Sequence, residues 1–327
     1  MTRNISSSKS QALISQGVEM VVADANNGAS LISAFKDAHA IFGVTDFWGP
    51  FLDPYTSEVA SKKNQTTNEV AFEIEISHGI GIAEAAAQIP SLERYIYSSL
   101  ADVTKWSKGK YTWVYHFDSK AKVVDHIKRN MPDLSKKTSY LQVGEYMTNW
   151  NKHISLGQKK LPDDSFVLRK PHSGDAKIPM VWVERDTGKF VKALVEAPPG
   201  KTMLGYGSFI GWREYMETWG KILGVKTHFE QIPPDEYLAD WPENLAKEVR
   251  EGHLFHAEFG WDGGDPEVLH PKDVSIPQSS RFSLPLIIYS SESKVQQSKN
   301  ISKMRIGHPC WRANGNWQHE IIFDTLA

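Results

Sequence analysis

Apolar positions in the first 150 residues fall into short runs separated by stretches with helical spacing. VEMVVAD (residues 18–24) is a β-rich run bounded by Gly17 and the polar DANNGAS. Residues 28–38, GASLISAFKDA, place Leu31, Ala34 and Phe35 on one helical face, with Ser30 near the start. HAIFGVTDFWG (39–49) and RYIYSSL (94–100) are two further apolar runs. Between them, residues 66–89 end in the helix former IAEAAAQI, while the earlier EVAFEIEI suits a strand or a helix. Near-continuous apolar runs alternating with helices predict parallel strands covered on both faces. Residues 1–150 therefore read as one α/β domain.

The pattern changes after residue 150. Short strands alternate with Pro and Gly turns, RKPHSGDAKIP and VEAPPGK, and helices are predicted at GWREYMETWGKILGV and DWPENLAKEVREG. This describes a smaller α+β lobe over residues 151–277. From Gln278 onward the chain is Ser-rich and loses periodicity apart from SLPLIIYS, so 278–327 reads as an irregular or disordered tail. No internal repeat is present.

Composition narrows the functional classes. The 327 residues carry 37 basic and 39 acidic side chains, mixed along the chain, for a net charge of -2. This balance gives no support to direct nucleic-acid binding or to attraction by an anionic membrane. A single cysteine, Cys310, rules out an intrachain disulfide framework and a cysteine-rich zinc site. No apolar run reaches the roughly 18–20 residues of a membrane span, and the N-terminus has no signal-peptide core. The expected setting is cytoplasmic and/or nuclear.

Three stretches carry candidate chemistry. SHGIGIAEAAA holds Gly79 and Gly81 before a helix former, but Glu84 stands where a dinucleotide fingerprint needs its third glycine. Glycines within or between helical turns are the plainer reading. HLFHAEFGWDGGD offers His253, His256, Glu258 and Asp262 without the spacing of a zinc motif, and no metal is expected. In YTWVYHFDSKAKVVDHIK, a helix puts His116 and Lys120 at i and i+4 on one face, with Tyr115 turned away by roughly 100°.

In register and order, QGVEMVVADANNGASLISAFKDAHAIFGVTDFW, RYIYSSLADVTKWSKGKYTWVYHFDSKAKV and SYLQVGEYMTNW resemble the NmrA-like family of atypical short-chain dehydrogenase-like proteins, many of them fungal. The resemblance covers about residues 1–277, with VTDFW and HFDSK its more specific parts. It implies a Rossmann-like, doubly wound parallel sheet that binds NADP or NAD, with a smaller α+β C-terminal lobe. Arg3 and Asn4 match the loop that meets the adenosine ribose or its 2′-phosphate, and Arg3 has the charge and fork geometry for a phosphate. Asp24, Ala25 and Asn26 match the turn beside the adenine. Thr45, Asp46 and Phe47 match the turn near the middle of the cofactor. Lys120 matches the ribose-binding lysine, and Tyr146, Met147, Thr148 and Asn149 match a loop at the nicotinamide end.

The family divides into redox sensors that regulate partners, including a GATA-type transcription factor in nitrogen metabolite repression, and oxidoreductases of fungal secondary-metabolite pathways. Here His116 occupies the position of the catalytic tyrosine. An imidazole near pH 6.5 cannot act as a tyrosinate, and Ser98 or Ser99 alone makes half a catalytic set. The expected function is a sensor or transcriptional co-regulator with little or no dehydrogenase activity. Its partner would be a protein such as a transcription factor. The alternative is an oxidoreductase that uses Ser98, His116 and Lys120 on a small-molecule substrate.

The resemblance also implies a first strand, a Gly-rich loop and a first helix ahead of the stretch that Met1 begins. Their absence removes the backbone cradle of the pyrophosphate and leaves two unpaired sheet edges. Weak cofactor affinity is the expected consequence, with a defective fragment as a third reading. Met1 is accordingly expected to be a late start, and the sequence after HPKDV to be translated intron or frameshifted sequence.

Overall fold

The computed structural model describes residues 1–149 and 157–274. The tail expected over 278–327, with SLPLIIYS, lies outside the described residues. Strands β1 (Ala40–Gly43), β2 (Arg94–Ser99) and β3 (Thr138–Val143) form in the first half. Then come β4 (Glu145–Tyr146), β5 (Lys159–Lys160), β6 (Phe166–Lys170) and β7 (Ile178–Val181). The last are β8 (Thr202–Gly205), β9 (Ser208–Ile210), β10 (Thr227–Gln231) and β11 (Val268–Leu269). The central sheet runs β1-β2-β3-β8-β11 and is parallel throughout. Two three-stranded sheets, β10-β6-β5 and β4-β7-β9, complete the described strands.

The helices are α1 (Ser8–Ile14), α2 (Gly28–Phe35), α3 (Trp48–Leu52), α4 (Pro54–Lys63), α5 (Thr67–Ala87) and α6 (Val103–Trp106). They continue with α7 (Tyr115–Asn130), α8 (Pro132–Ser135), α9 (Val183–Glu196), α10 (Trp212–Leu223) and α11 (Glu243–Phe259). Successive side chains of β2 point to opposite faces, as the pleat requires. Tyr95 and Tyr97 join Leu31 of α2, Ile82 of α5, and Val123 and Ile127 of α7 in one core. Ile96 joins Leu141, Met203, and Phe190 and Leu194 of α9 in another. The sheet is thus covered on both faces.

The ambiguous EVAFEIEI is helical. Thr66 and Glu69 form a capping box, each side chain bonding the other's backbone N–H, so the helix nucleates ahead of this run. No Gly or Pro interrupts it until Gly79. A Cβ on Gly79 would lie 2.5 Å from Val123 Cγ2 and 2.9 Å from Tyr97 Oη, so this glycine lets α5 approach α7 and β2. It is not part of a phosphate loop.

VEMVVAD is a correction. Within it only Val22 pairs, through a single parallel bridge to Thr2, with Thr2 N–H donating to Val21 O at 2.9 Å and Ala23 N–H to Thr2 O at 3.0 Å. Among the described residues this pair is not joined to the central sheet, and β1 has β2 as its one strand partner. An isolated bridge lacks the neighbouring ladder that makes a strand cooperative. Val22 is accordingly 56% exposed, and Phe42 and Val44 at β1 are 37% and 52% exposed.

The segment expected as a lobe of its own returns two strands, β8 and β11, to the central sheet. Its own core packs Leu168, Trp212, Met216, Trp219, Phe255 and Trp261 with Val114 and Phe117 around the start of α7. The lobe is therefore seated on the helix that carries HFDSK.

Candidate nucleotide site and the HFDSK helix

Helix α7 opens at Tyr115, and each residue of HFDSK has a separate structural role. Phe117 is 2% exposed and edge-on to Trp261 at 5.3 Å. Asp118 accepts the backbone N–H of Val103 at 2.6 Å and the Thr104 hydroxyl, fixing the start of α6. Burial pushes its carboxyl up to about 6, against the lowering effect of those bonds. Ser119 donates to Glu75 Oε2. Lys120 donates to Thr45 O at 3.0 Å, to Thr45 Oγ1 at 3.1 Å and to Glu75 Oε1.

This network is closed. Glu75 is fully buried and the Lys120 side chain is 12% exposed. Thr45 also donates to Glu75 Oε1 at 2.8 Å and lies 3.2 Å from the Tyr97 hydroxyl. An ammonium has three protons to donate, and here three protein acceptors surround it. The turn after β1 is held in the same way. Asp46 accepts the N–H groups of Trp48 and Gly49, both at 3.0 Å, and Phe47 is 1% exposed. Burial raises the Asp46 carboxyl above its ordinary range despite these N–H groups.

His116 is treated differently. Its backbone N–H donates to Glu248 Oε1 at 2.9 Å, and Nδ1 lies 2.6 Å from the same oxygen. The ring sits 5.0 Å from that of Trp48. No phenol here is set up to ionise. Burial pushes Tyr115 up to about 12, raises Tyr97 well above its ordinary value, and raises Tyr146, where Glu145 and Asp46 add to the effect. Ser99 Oγ is buried without a partner among the described residues, while Ser98 is partly exposed.

The other matched residues lie near the surface. Asp24 accepts the Asn26 backbone N–H at 2.8 Å, which is the main cause holding its carboxyl below the ordinary range. Arg3 lowers it further through its charge. Asn26 Oδ1 lies 2.9 Å from His78 Nε2. Beside this turn a cleft of about 600 Å³ runs between α2 and α5, lined by Ala25, Asn26, Gly28, Ile32, Ile80 and Gly81. Glu73 and Glu84 also line it and no basic side chain does, so it suits a base or ribose hydroxyls better than a phosphate. Asn4 is engaged locally: its Oδ1 accepts from Ser6 N–H and its carbonyl from Ser10 Oγ.

At the expected nicotinamide loop, Met147 is buried in the lobe core and Asn149 Nδ2 donates to Glu145 at 2.8 Å. Tyr146 and Thr148 are partly exposed. The structure therefore brings Thr45, Asp46, Phe47, His116 and Lys120 together, and groups Arg3, Asp24 and Asn26 elsewhere. Sequence reasoning missed Glu75, Glu248 and Ser119. The signal for Glu75 was its place between Ile74 and Ile76, which Glu73 between Phe72 and Ile74 shares; Glu248 gave none.

A five-stranded parallel sheet with helices on both faces defines a Rossmann-like α/β protein. The chain belongs to the NmrA-like family, whose pattern matches residues 1–281. It is 22% identical over 245 residues to the NmrA-like family domain-containing oxidoreductase FrzB of a Cladobotryum species, covering 72% of this chain and 68% of that protein. It is 27% identical over 296 residues to the corresponding oxidoreductase cpsB of Aspergillus campestris, covering 85% and 79%. Among solved structures it resembles NmrA, a negative transcriptional regulator, in complex with NADP. That match has a TM-score of 0.61 at 16% identity and covers 94% of this chain and 89% of that one. Among the described residues no helix is long and apolar enough to cross a membrane.

Proposed function

We propose that this chain is an NAD(P)-binding sensor or co-regulator with little or no dehydrogenase activity, acting through a protein partner. The observation that carries the proposal is the closure of Lys120. In the short-chain dehydrogenase arrangement a lysine donates to the nicotinamide ribose and lowers the pKa of a tyrosine. Here its three protons face Thr45 and Glu75, and the nearby phenols are all shifted toward the neutral form.

The residues fit the two halves of a dinucleotide unequally. At the adenosine end, the cleft beside Ala25 and Asn26 would take the base, and Arg3 would take a ribose hydroxyl or 2′-phosphate. When bound, the nicotinamide supplies hydride chemistry, but Lys120 is closed on Thr45 and Glu75, and Tyr97, Tyr115 and Tyr146 are held toward the neutral form. The resemblance to a negative transcriptional regulator solved in complex with NADP supports dinucleotide binding. Titrating the full chain with NADP and NAD, followed by an NADPH-consumption assay over a carbonyl panel, tests the proposal. Saturable binding with no turnover is expected; turnover, or no saturable binding, would overturn it.

A second reading draws on the relatives named as oxidoreductases and makes the chain an NADP-dependent enzyme of a fungal secondary-metabolite pathway. The same assay separates the two readings.

A further inference from the structure

His116 stands where the dehydrogenase phenol would stand, and the fold gives it a carboxylate from 132 residues away. Glu248 on α11 is fully buried. Its Oε1 takes two contacts from His116, and its Oε2 accepts Asn68 Nδ2 at 2.9 Å. A carboxylate only accepts, so the contact selects Nδ1 as the protonated nitrogen, and in the neutral ring the lone pair lies on Nε2. Among the described residues Nε2 has no hydrogen-bond partner, and the side chain is 19% exposed. Beside it stands Trp48, its ring 5.0 Å from that of His116, with Phe51 edge-on to Trp48 at 5.7 Å and both rings partly exposed.

A buried carboxylate is a costly way to anchor a neutral ring, because desolvation offsets much of what the bond contributes. It fits a ring that takes up a proton, since it fixes the tautomer and offsets the positive charge that forms. The geometry points to a proton-transfer site that needs no nicotinamide, with His116 as general acid–base catalyst and Glu248 as its positioning residue. The substrate class is an aromatic compound with an enolisable carbonyl, packed against the exposed part of Trp48. His116 Nε2 takes the proton α to the carbonyl. The C–H electron pair becomes the C=C bond of the enolate, and the carbonyl π pair moves to oxygen. The imidazolium then returns a proton to the same carbon or to a conjugated one. The net result is exchange or double-bond migration, with no change in oxidation state. This goes beyond the dinucleotide proposal and does not depend on it.

The test uses the full chain in D2O with 2-tetralone and no added nucleotide, reading deuterium at the α-carbons by NMR. Wild-type wash-in is expected to exceed that of His116→Gln by about 10²-fold, the lower range of general acid–base catalysis. Glu248→Gln is expected to lower it by about 10-fold or more. That substitution keeps the packing, because Asn68 Oδ1 is buried without a partner among the described residues and a flipped Asn68 amide can accept the new amide N–H. It also moves the Nδ1–H proton resonance upfield, which a merely structural Glu248 would not link to exchange rate. If His116→Gln melts early, carbethoxylation of the folded wild type, mapped to His116 by mass spectrometry, replaces it. Wash-in equal in wild type and His116→Gln, or unchanged by that modification, would overturn the proposal.

Discussion

At the turn proposed for the adenosine, Arg3 and Asn26 stand in solvent, and Asp24 is held chiefly by the Asn26 backbone. At the α7 end, Lys120, Glu75, Thr45 and Ser119 are closed on one another in the protein interior. Both ends hold residues proposed for the cofactor. The difference is in what the surroundings leave each charge able to do. A solvated charge can exchange water for a ligand at small cost. A buried cation that has satisfied its donors can do so only by exposing its partner, and breaking such a pair is expensive.

The largest test of that contrast is Glu75→Ala. Leaving Lys120 buried and unpaired is expected to cost about 3–5 kcal/mol in urea unfolding, and a cost below about 1 kcal/mol would show that the pair is solvated. The double change Glu75→Met with Lys120→Met removes both charges and should recover most of that loss, because well-packed apolar replacements of a buried pair are often neutral.

Asp118 gives the next largest effect. Its folded carboxyl is raised to about 6 by burial, above the unfolded value near 3.9. The folded state therefore binds the proton more tightly. This group's contribution improves as pH falls from about 7 through 6 toward 4, by about 2–3 kcal/mol. Denaturation across that window should show this component in the wild type and lack it in Asp118→Asn. Equal pH slopes in the two proteins would place Asp118 in solvent.

Thr66→Ala removes one side of the α5 capping box and is expected to cost about 1 kcal/mol, measured in the same way. The smallest effect belongs to the exposed end. Arg3→Ala should change stability by no more than about 0.5 kcal/mol while weakening NADP more than NAD in the titration proposed above. A large loss of stability would mean that Arg3 is structural and that the two ends are alike.

Much of the frame was legible in advance. The apolar runs at 39–49 and 94–100 are β1 and β2, and residues 28–38 contain α2 with Asn27 as its cap. VEMVVAD misled because β propensity describes a residue's fit to a pleated surface and does not supply the neighbouring strand. The single bridge at Val22 is what remains among the described residues. EVAFEIEI was undecidable by period because α5 packs against α2, α7 and the α3–α4 region, which blurs the one-sided pattern of a surface helix. Within HFDSK, helical spacing identified His116 and Lys120 as neighbours. It could not show that one would be closed by Glu75, 45 residues away, and the other backed by Glu248.

Taken alone, the sequence determined the strands β1 and β2, the apolar face of α2 and the family. Each of these follows from side-chain period and residue type within a few turns of chain. The tertiary structure decided which charges are available. Whether Lys120 offers a proton, or Nε2 of His116 a lone pair, depends on side chains that sheet and helix packing deliver from distant parts of the chain. Local pattern records which face is buried. It does not record the partner met there.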